Sequence, residues 1–348
     1  MLPGVSYIVT IYNKAPYLED VVRALQTQQG EFERQYILVD DGSTDGSGEL
    51  ATRLAAGAAN AHVIRQDNRG PSVAVNRGLE HATLPFTQII DGDDILAPYA
   101  SRLLLRAARD SGCGAVYGRN AYYRAGEAPA FSAEPQSVPV RVLDDALYTI
   151  IRIGHAGGST YILDTAALKR AGGADERVFV QDQSLPQRMS FVTRIGFIDA
   201  VICVGPRDEP GRLMKFPVQQ QHDQSLTALL TLRDHPELPA RLRRLVQKQV
   251  TGRAWKYAAR HGGASPFSRY FRLFLAARLP GMTLGEATLF STLSAFPRGS
   301  AVRLMPDSAA RSAARASADA APARQSAARN GRWPTSRKAR TRPPPATG

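Results

Sequence analysis

The 348-residue sequence predicts an α/β fold: a doubly wound, mostly parallel sheet, followed by a C-terminal helical region and a disordered tail. Three observations carry that prediction. Short β-branched or aromatic runs alternate with amphipathic stretches of helical period, as parallel strands joined by crossover helices do. Several of these runs end in polar or acidic residues, where open α/β sheets place their ligands. From about Leu226 onward the strand pattern stops and helical spacing takes over.

Val5 to Ile11 reads as the first strand, and Pro16 opens a helix with Leu18, Val21, Val22 and Leu25 on one face. Tyr36 to Asp40 is a second buried strand, running into the turn-rich Asp41-Gly42-Ser43-Thr44-Asp45. His62 to Ile64 is a short third strand, and Asn68-Arg69-Gly70 leads into a helix at Pro71. Phe86 to Ile90 is a buried strand ending in Asp91-Gly92-Asp93-Asp94. A helix from near Pro98 carries Leu103, Leu104 and Ala107, and Ala115 to Tyr117 is the next strand. Further on, Gly157 to Leu163 reads as strand, Thr165 to Arg170 as helix and Ile195 to Val204 as the last strand. The expected division is 1–220 for the sheet domain, 221–304 for the helical region and 305–348 for a disordered basic tail.

The net charge is +13, but nine Lys and Arg against two Asp from Met305 onward place +7 of it in the tail. The folded part is only mildly basic, which disfavours a specific nucleic-acid partner. That tail is Ala, Arg, Ser and Pro with few large apolar residues, too little to order itself. Cys113 and Cys203 stand in apolar strand contexts and read as buried free thiols in a reducing compartment. No signal pattern precedes Val5 and no apolar run reaches the length of a membrane span, so a cytoplasmic location is expected.

Three carboxylates within four residues at a strand end repel one another unless a cation shares the site. Asp91 and Asp93, on a bend that Gly92 permits, offer hard oxygen ligands suited to Mg²⁺ or Mn²⁺, with positions left for substrate phosphates. The bland alternative is an acidic turn capping the next helix. No G-x-G-x-x-G follows the first strand and no G-x-x-x-x-G-K occurs, which disfavours dehydrogenase and P-loop chemistry.

With these residues in view, the chain resembles the family 2 inverting glycosyltransferases of the GT-A fold. The resemblance rests on Ser6 to Asn13, Val39 to Asp45, Asn68-Arg69-Gly70 with Val75-Asn76-Arg77-Gly78, and Asp91 to Asp94, four short pieces in family order. It implies a nucleotide-diphosphate sugar donor, UDP-linked, with Thr10, Tyr12, Asp41, Arg69 and Asp91 on the nucleotide sugar and Asp91 and Asp93 on the metal. It also implies a glycan or lipid-linked glycan acceptor. Phe179-Val180-Gln181-Asp182-Gln183-Ser184-Leu185 is similar to the family segment that supplies the catalytic base, here Asp182, although Gln181 stands where relatives carry Glu. Losing that neighbouring carboxylate removes one influence that raises an Asp pKa. The competing role for Asp182 is a helix N-cap. Thr10 replaces a Pro found in many members, with little expected consequence.

Arg207, Arg212 and Lys215 follow the last strand in a loop that suits a diphosphate clamp or a solvated surface, and His222 reads as structural or surface rather than catalytic. Leu238 to Ala258 is a basic amphipathic helix. Ser265-Pro266 starts another, with Phe267, Tyr270, Phe271, Phe274 and Leu275 beside Arg269, Arg272 and Arg278. Such a stripe either packs on the sheet domain or lies on an anionic membrane, peripherally on the inner face of the plasma membrane. The alternatives to a glycosyltransferase are a sugar nucleotidyltransferase and a non-catalytic nucleotide-sugar or membrane-binding module. The first needs a Gly-rich cationic loop after strand one, where Thr10-Ile11-Tyr12-Asn13-Lys14 stands instead.

Overall fold

The structure, a computed structural model, describes residues 2–58, 60–124, 127–154, 158–207, 217–297 and 303. The expected tail, and Gly157, Arg212 and Lys215, lie outside the described residues.

Strand β1 (Val5–Ile11) is buried along its whole length, as the centre of a sheet covered on both faces must be. It pairs in parallel with β2 (Arg34–Asp40) and β4 (Phe86–Asp91), and β2 pairs in parallel with β3 (Ala61–Arg65). Helices α1 (Ala15–Gln26), α2 (Ser47–Ala55) and α3 (Pro71–His81) make the crossovers. The chain continues through β5 (Ile95–Leu96), α4 (Ala100–Ser111), β6 (Ala115–Tyr123), β7 (Arg141–Val142), α5 (Ala146–Ile153), β8 (Tyr161–Asp164), α6 (Thr165–Arg170), α7 (Gln181–Met189) and β9 (Ile195–Pro206). The order across the sheet is β3-β2-β1-β4-β8-β6-β9-β5, with β7 on β9. Strands β1 to β4, β6 and β9 run one way; among the described residues only the short β5, β7 and β8 run against them.

The period of two along β1 divides the core. Tyr7, Val9 and Ile11 join Leu18, Val21 and Leu25 of α1 and Leu104 of α4 on one face. Ile8 joins Val75 and Leu79 of α3 and Leu185 and Met189 of α7 on the other. Each fully buried aliphatic side chain contributes about 1.5–3 kcal/mol, so the strand ends are rigidly placed.

Several expectations need correction. β6 runs on to Tyr123, with its register shifting around Arg119. β8 starts at Tyr161, because Gly158 and Ser159 form a turn. The helix near Pro98 begins at Ala100, since β5 and a turn intervene. The last amphipathic helix begins at Arg269, capped by the Ser268 hydroxyl, which accepts from the Phe271 N–H at 3.3 Å.

The C-terminal helices are α8 (Pro217–Asp234), α9 (Ala240–His261), α10 (Arg269–Ala276) and α11 (Glu286–Phe290), followed by a 3₁₀ turn at Ser291–Ala295. Leu229, Leu242, Val246 and Val250 from this layer share an apolar cluster with Leu147 and Ile151 of α5. The helical layer is therefore built onto the sheet domain. Among the described residues no helix is long and apolar enough to cross a membrane, and Cys113 and Cys203 are buried free thiols.

Candidate active site

The carboxyl ends of β1, β2 and β4 meet on one edge. Just past β1, Asn13 adopts a left-handed backbone (φ 54°), and its side-chain Oδ1 accepts the Thr44 N–H at 2.9 Å. The Asn13 N–H in turn donates to Ser43 Oγ at 3.0 Å. This turn leaves the Tyr12 ring 44% exposed at the rim. Thr10 is buried, and its carbonyl accepts the Gly92 N–H at 3.0 Å, joining β1 to the acidic turn.

Asp41 is buried, and both of its carboxylate oxygens are engaged. Oδ1 accepts from Gln66 Nε2 and the Arg69 N–H, and Oδ2 from the Gly70 N–H, all at 2.8 Å. Gly70, at φ +93°, supplies the bend that starts α3. Asp41 thus builds the loop on which the exposed Arg69 side chain stands.

At the end of β4 the Asp91 N–H donates to Ser159 Oγ at 2.9 Å, fastening the acidic turn to the residues before β8. Asp93 is buried, and its Oδ2 receives Lys14 Nζ at 2.7 Å. Asp93 thus already pairs with a cation supplied by the chain. Among the described residues no three His, Cys, Asp or Glu side chains gather as a metal cage. Asp91 and Asp93 alone are a donor set that fits Mg²⁺ or Mn²⁺, which keep waters and bind through one or two carboxylates plus phosphate oxygens.

Asp182 comes from the opposite side. It is the second residue of α7, whose N-cap is Val180, and no side chain caps this helix. The capping role is therefore excluded. The start of α7 is held instead by Asp223, whose Oδ2 accepts the Val180 N–H at 2.9 Å and whose Oδ1 meets His222 Nδ1 at 2.8 Å. His222 is buried in that support, so of its two expected placements the surface one is excluded.

The Asp182 carboxylate accepts the Tyr161 hydroxyl at 3.2 Å. Burial pushes its pKa up to about 7; the Tyr161 hydroxyl and the Gly158 N–H pull against this, and the Asp94 charge adds to it. A Cβ on Gly158 would stand 2.8 Å from Oδ2 of both Asp91 and Asp182, so glycine is what lets these two carboxylates approach one gap. Gln181 donates from Nε2 to Asp91 Oδ1 at 3.2 Å. That contact fixes the amide orientation, because a carboxylate only accepts. Its Oε1 is buried without a hydrogen-bond partner among the described residues. Burial raises the Asp182 pKa although Gln181 brings no charge.

Sequence reasoning missed Lys14, Tyr161 and the orphaned end of Gln181. It also missed Arg303, whose guanidinium donates to Asn68 Oδ1 at 2.8 Å and lies 4.6 Å from the Phe179 ring centroid. Gln219 clamps the Arg303 backbone by accepting its N–H at 2.7 Å and donating to its carbonyl at 3.3 Å. One residue thereby links the Arg69 loop to the segment leading into Asp182.

The Tyr161 contact yields an expected result. Tyr161→Phe removes a hydrogen bond that holds the Asp182 pKa down, so the acid limb of the pH–rate profile should move to higher pH. An unshifted limb in a folded variant would remove Asp182 from that ionisation.

Residues 6–164 match the family model described as Glycosyl transferase family 2. The "Uncharacterized glycosyltransferase EpsJ" of Bacillus subtilis (strain 168) is 36% identical over 119 residues, covering 33% of this chain and 34% of that protein. The "Poly-beta-1,6-N-acetyl-D-glucosamine synthase" of Staphylococcus aureus (strain COL) is 28% identical over 120 residues, covering 34% of this chain and 28% of that one. The chain thus spans about a third of the length of the curated relatives it matches. Among solved structures, S. aureus TarS 1-349 in complex with UDP-GlcNAc superposes with TM-score 0.56 at 18% identity, over 84% of this chain and 82% of that one. The mannosyltransferase PcManGT from Pyrobaculum calidifontis, in complex with GDP-Man and Mn²⁺, gives TM-score 0.54 at 19% identity, over 84% and 87%. The fold is thus of the GT-A type, and residues 6–164 of this chain are similar to glycosyl transferase family 2.

Proposed function

We propose that the protein is an inverting glycosyltransferase that moves a sugar from a nucleotide-diphosphate donor to a hydroxyl of a glycan or lipid-linked glycan, in surface polysaccharide or glycolipid synthesis. One observation carries this reading: a buried carboxylate, Asp182, with pKa raised to about 7, lies across Gly158 from the acidic strand end. A general base is most effective when its pKa lies near the working pH.

In the proposed reaction Asp182 takes the proton of the acceptor hydroxyl. The acceptor oxygen bonds to the anomeric carbon from the face opposite the leaving group, while the bond from that carbon to the phosphate oxygen breaks. The electron pair leaves with the nucleoside diphosphate, and no covalent sugar–enzyme intermediate forms. Mg²⁺ or Mn²⁺ held by Asp91 and Asp93 would neutralise charge on the diphosphate. Tyr12, Thr10 and the Arg69 loop built by Asp41 position the nucleotide, and Gln181 holds Asp91 toward the sugar. In this reading the division of labour puts chemistry in residues 1–220 and support or docking in 221–304.

UDP is taken as the nucleotide, as in the TarS complex, with GDP, as in PcManGT, the alternative. A panel of UDP- and GDP-sugars, read by released nucleotide with and without glycan acceptors, tests the proposal. Release from one donor class, stimulated by acceptor, is the expected result; release from none would overturn it.

A further inference from the structure

We propose that the α10 end of the helical layer docks on an anionic lipid bilayer. Between Leu238 and Gly285 the chain carries ten Lys and Arg and no Asp or Glu. In the fold, the aromatic residues of this stretch divide into two groups. Phe271 packs against Trp255 of α9 with ring centroids 4.9 Å apart, and Phe274 lies under the Arg278 guanidinium at 3.6 Å. These rings are used within the protein. Phe267, just before the helix, is 87% exposed, and Leu275, Leu279 and Met282 are 47, 54 and 43% exposed. No residue of α10 is buried.

Large apolar side chains gathered on one short segment, flanked by cations and by no anion, fit the interface of an anionic bilayer. Apolar groups enter the headgroup–acyl boundary while Lys and Arg meet lipid phosphates. A polynucleotide would use the cations but gain little from Phe267 or Leu279. The chain's own segment from Met305, with nine Lys and Arg against two Asp, has the same sign as this face and is a poor cover for it. α10 packs on α9, α9 on α8, and α8 on the Asp182-bearing α7. Docking would therefore set the active site's orientation to the membrane, whatever reaction it performs.

The test is co-sedimentation of the full-length protein with vesicles. Wild type should partition onto phosphatidylglycerol-containing vesicles and not onto pure phosphatidylcholine, and added salt should weaken binding. Reversing three exposed cations, Lys256→Glu, Arg260→Glu and Arg272→Glu, should lower partitioning more than about tenfold, given the usual contribution of each basic residue near an anionic surface. Phe267→Ser with Leu279→Ser should also lower it severalfold, with thermal stability unchanged because both side chains face solvent. Equal, negligible sedimentation with both vesicle types would overturn the proposal. So would serine variants that bind anionic vesicles as wild type does, since the surface would then be a general polyanion site that RNA fragments should also occupy.

Discussion

Asp182→Asn is expected to lower turnover by roughly 10²–10⁴-fold, the span general acid–base catalysis usually supplies, while donor affinity stays near wild type. Asparagine keeps the shape and can still accept the Tyr161 hydroxyl, but it cannot take a proton from the acceptor. The proposed nucleotide contacts lie on Tyr12, Thr10 and the Arg69 loop, none of which the substitution changes. Single-turnover transfer beside nucleotide calorimetry separates the two effects. Stability supplies a second readout with its own sign. Burial raises the folded-state pKa of Asp182 from 3.8 to about 7, so the folded protein holds this proton more tightly than the unfolded chain. The stability this contributes is present below the ordinary Asp range and is lost as pH rises through about 7. That loss is on the order of 4 kcal/mol. Asp182→Asn avoids it, and its melting temperature relative to wild type should climb between pH 5 and pH 8. A variant that transfers sugar at the wild-type rate would remove Asp182 from the chemistry.

The second large effect is expected at Asp93. Asp93→Ala should cost at least about 10²-fold in turnover, the scale seen when one preorganised electrostatic contact to developing charge is removed. Chelation should likewise suppress wild-type transfer, and Mg²⁺ or Mn²⁺ should restore it. The fold should survive, because the partner left behind, Lys14, is partly exposed and can turn to water. Circular dichroism checks the fold, and Mn²⁺ titration checks the ligand role. Full activity of Asp93→Ala in excess chelator would contradict it. The Lys14 ion pair adds a feature that sequence reading did not supply: this cation contacts the same carboxylate a metal would use.

Legibility followed distance along the chain. Carboxylates closing an apolar run are a local pattern, so the acidic end of β4 could be read directly, as could the parallel strands around it. Asp182 was reachable because its segment has a recognisable neighbourhood. Lys14, Gln181 and Arg303 reach Asp93, Asp91 and Asn68 across 79, 90 and 235 residues. No periodicity encodes such contacts; only the folded sheet edge brings them together. The two-residue strands β5 and β7 are too short to show alternation, and the antiparallel direction of β8 is set by its pairing with β4 and β6, which its own residues do not encode. The hydrogen bonds of Asp41 were not legible. A carboxylate after β2 suggests ligand binding, yet its oxygens are engaged by the loop that presents Arg69.

The anomeric configuration of the product, read by proton NMR on sugar transferred from the donor that the nucleotide-release panel identifies, tests the central claim most directly. A single displacement with Asp182 as base predicts inversion, a β-linked product from an α-linked donor. An α-linked product, with configuration retained, would contradict it and require a different attacking group at the anomeric carbon.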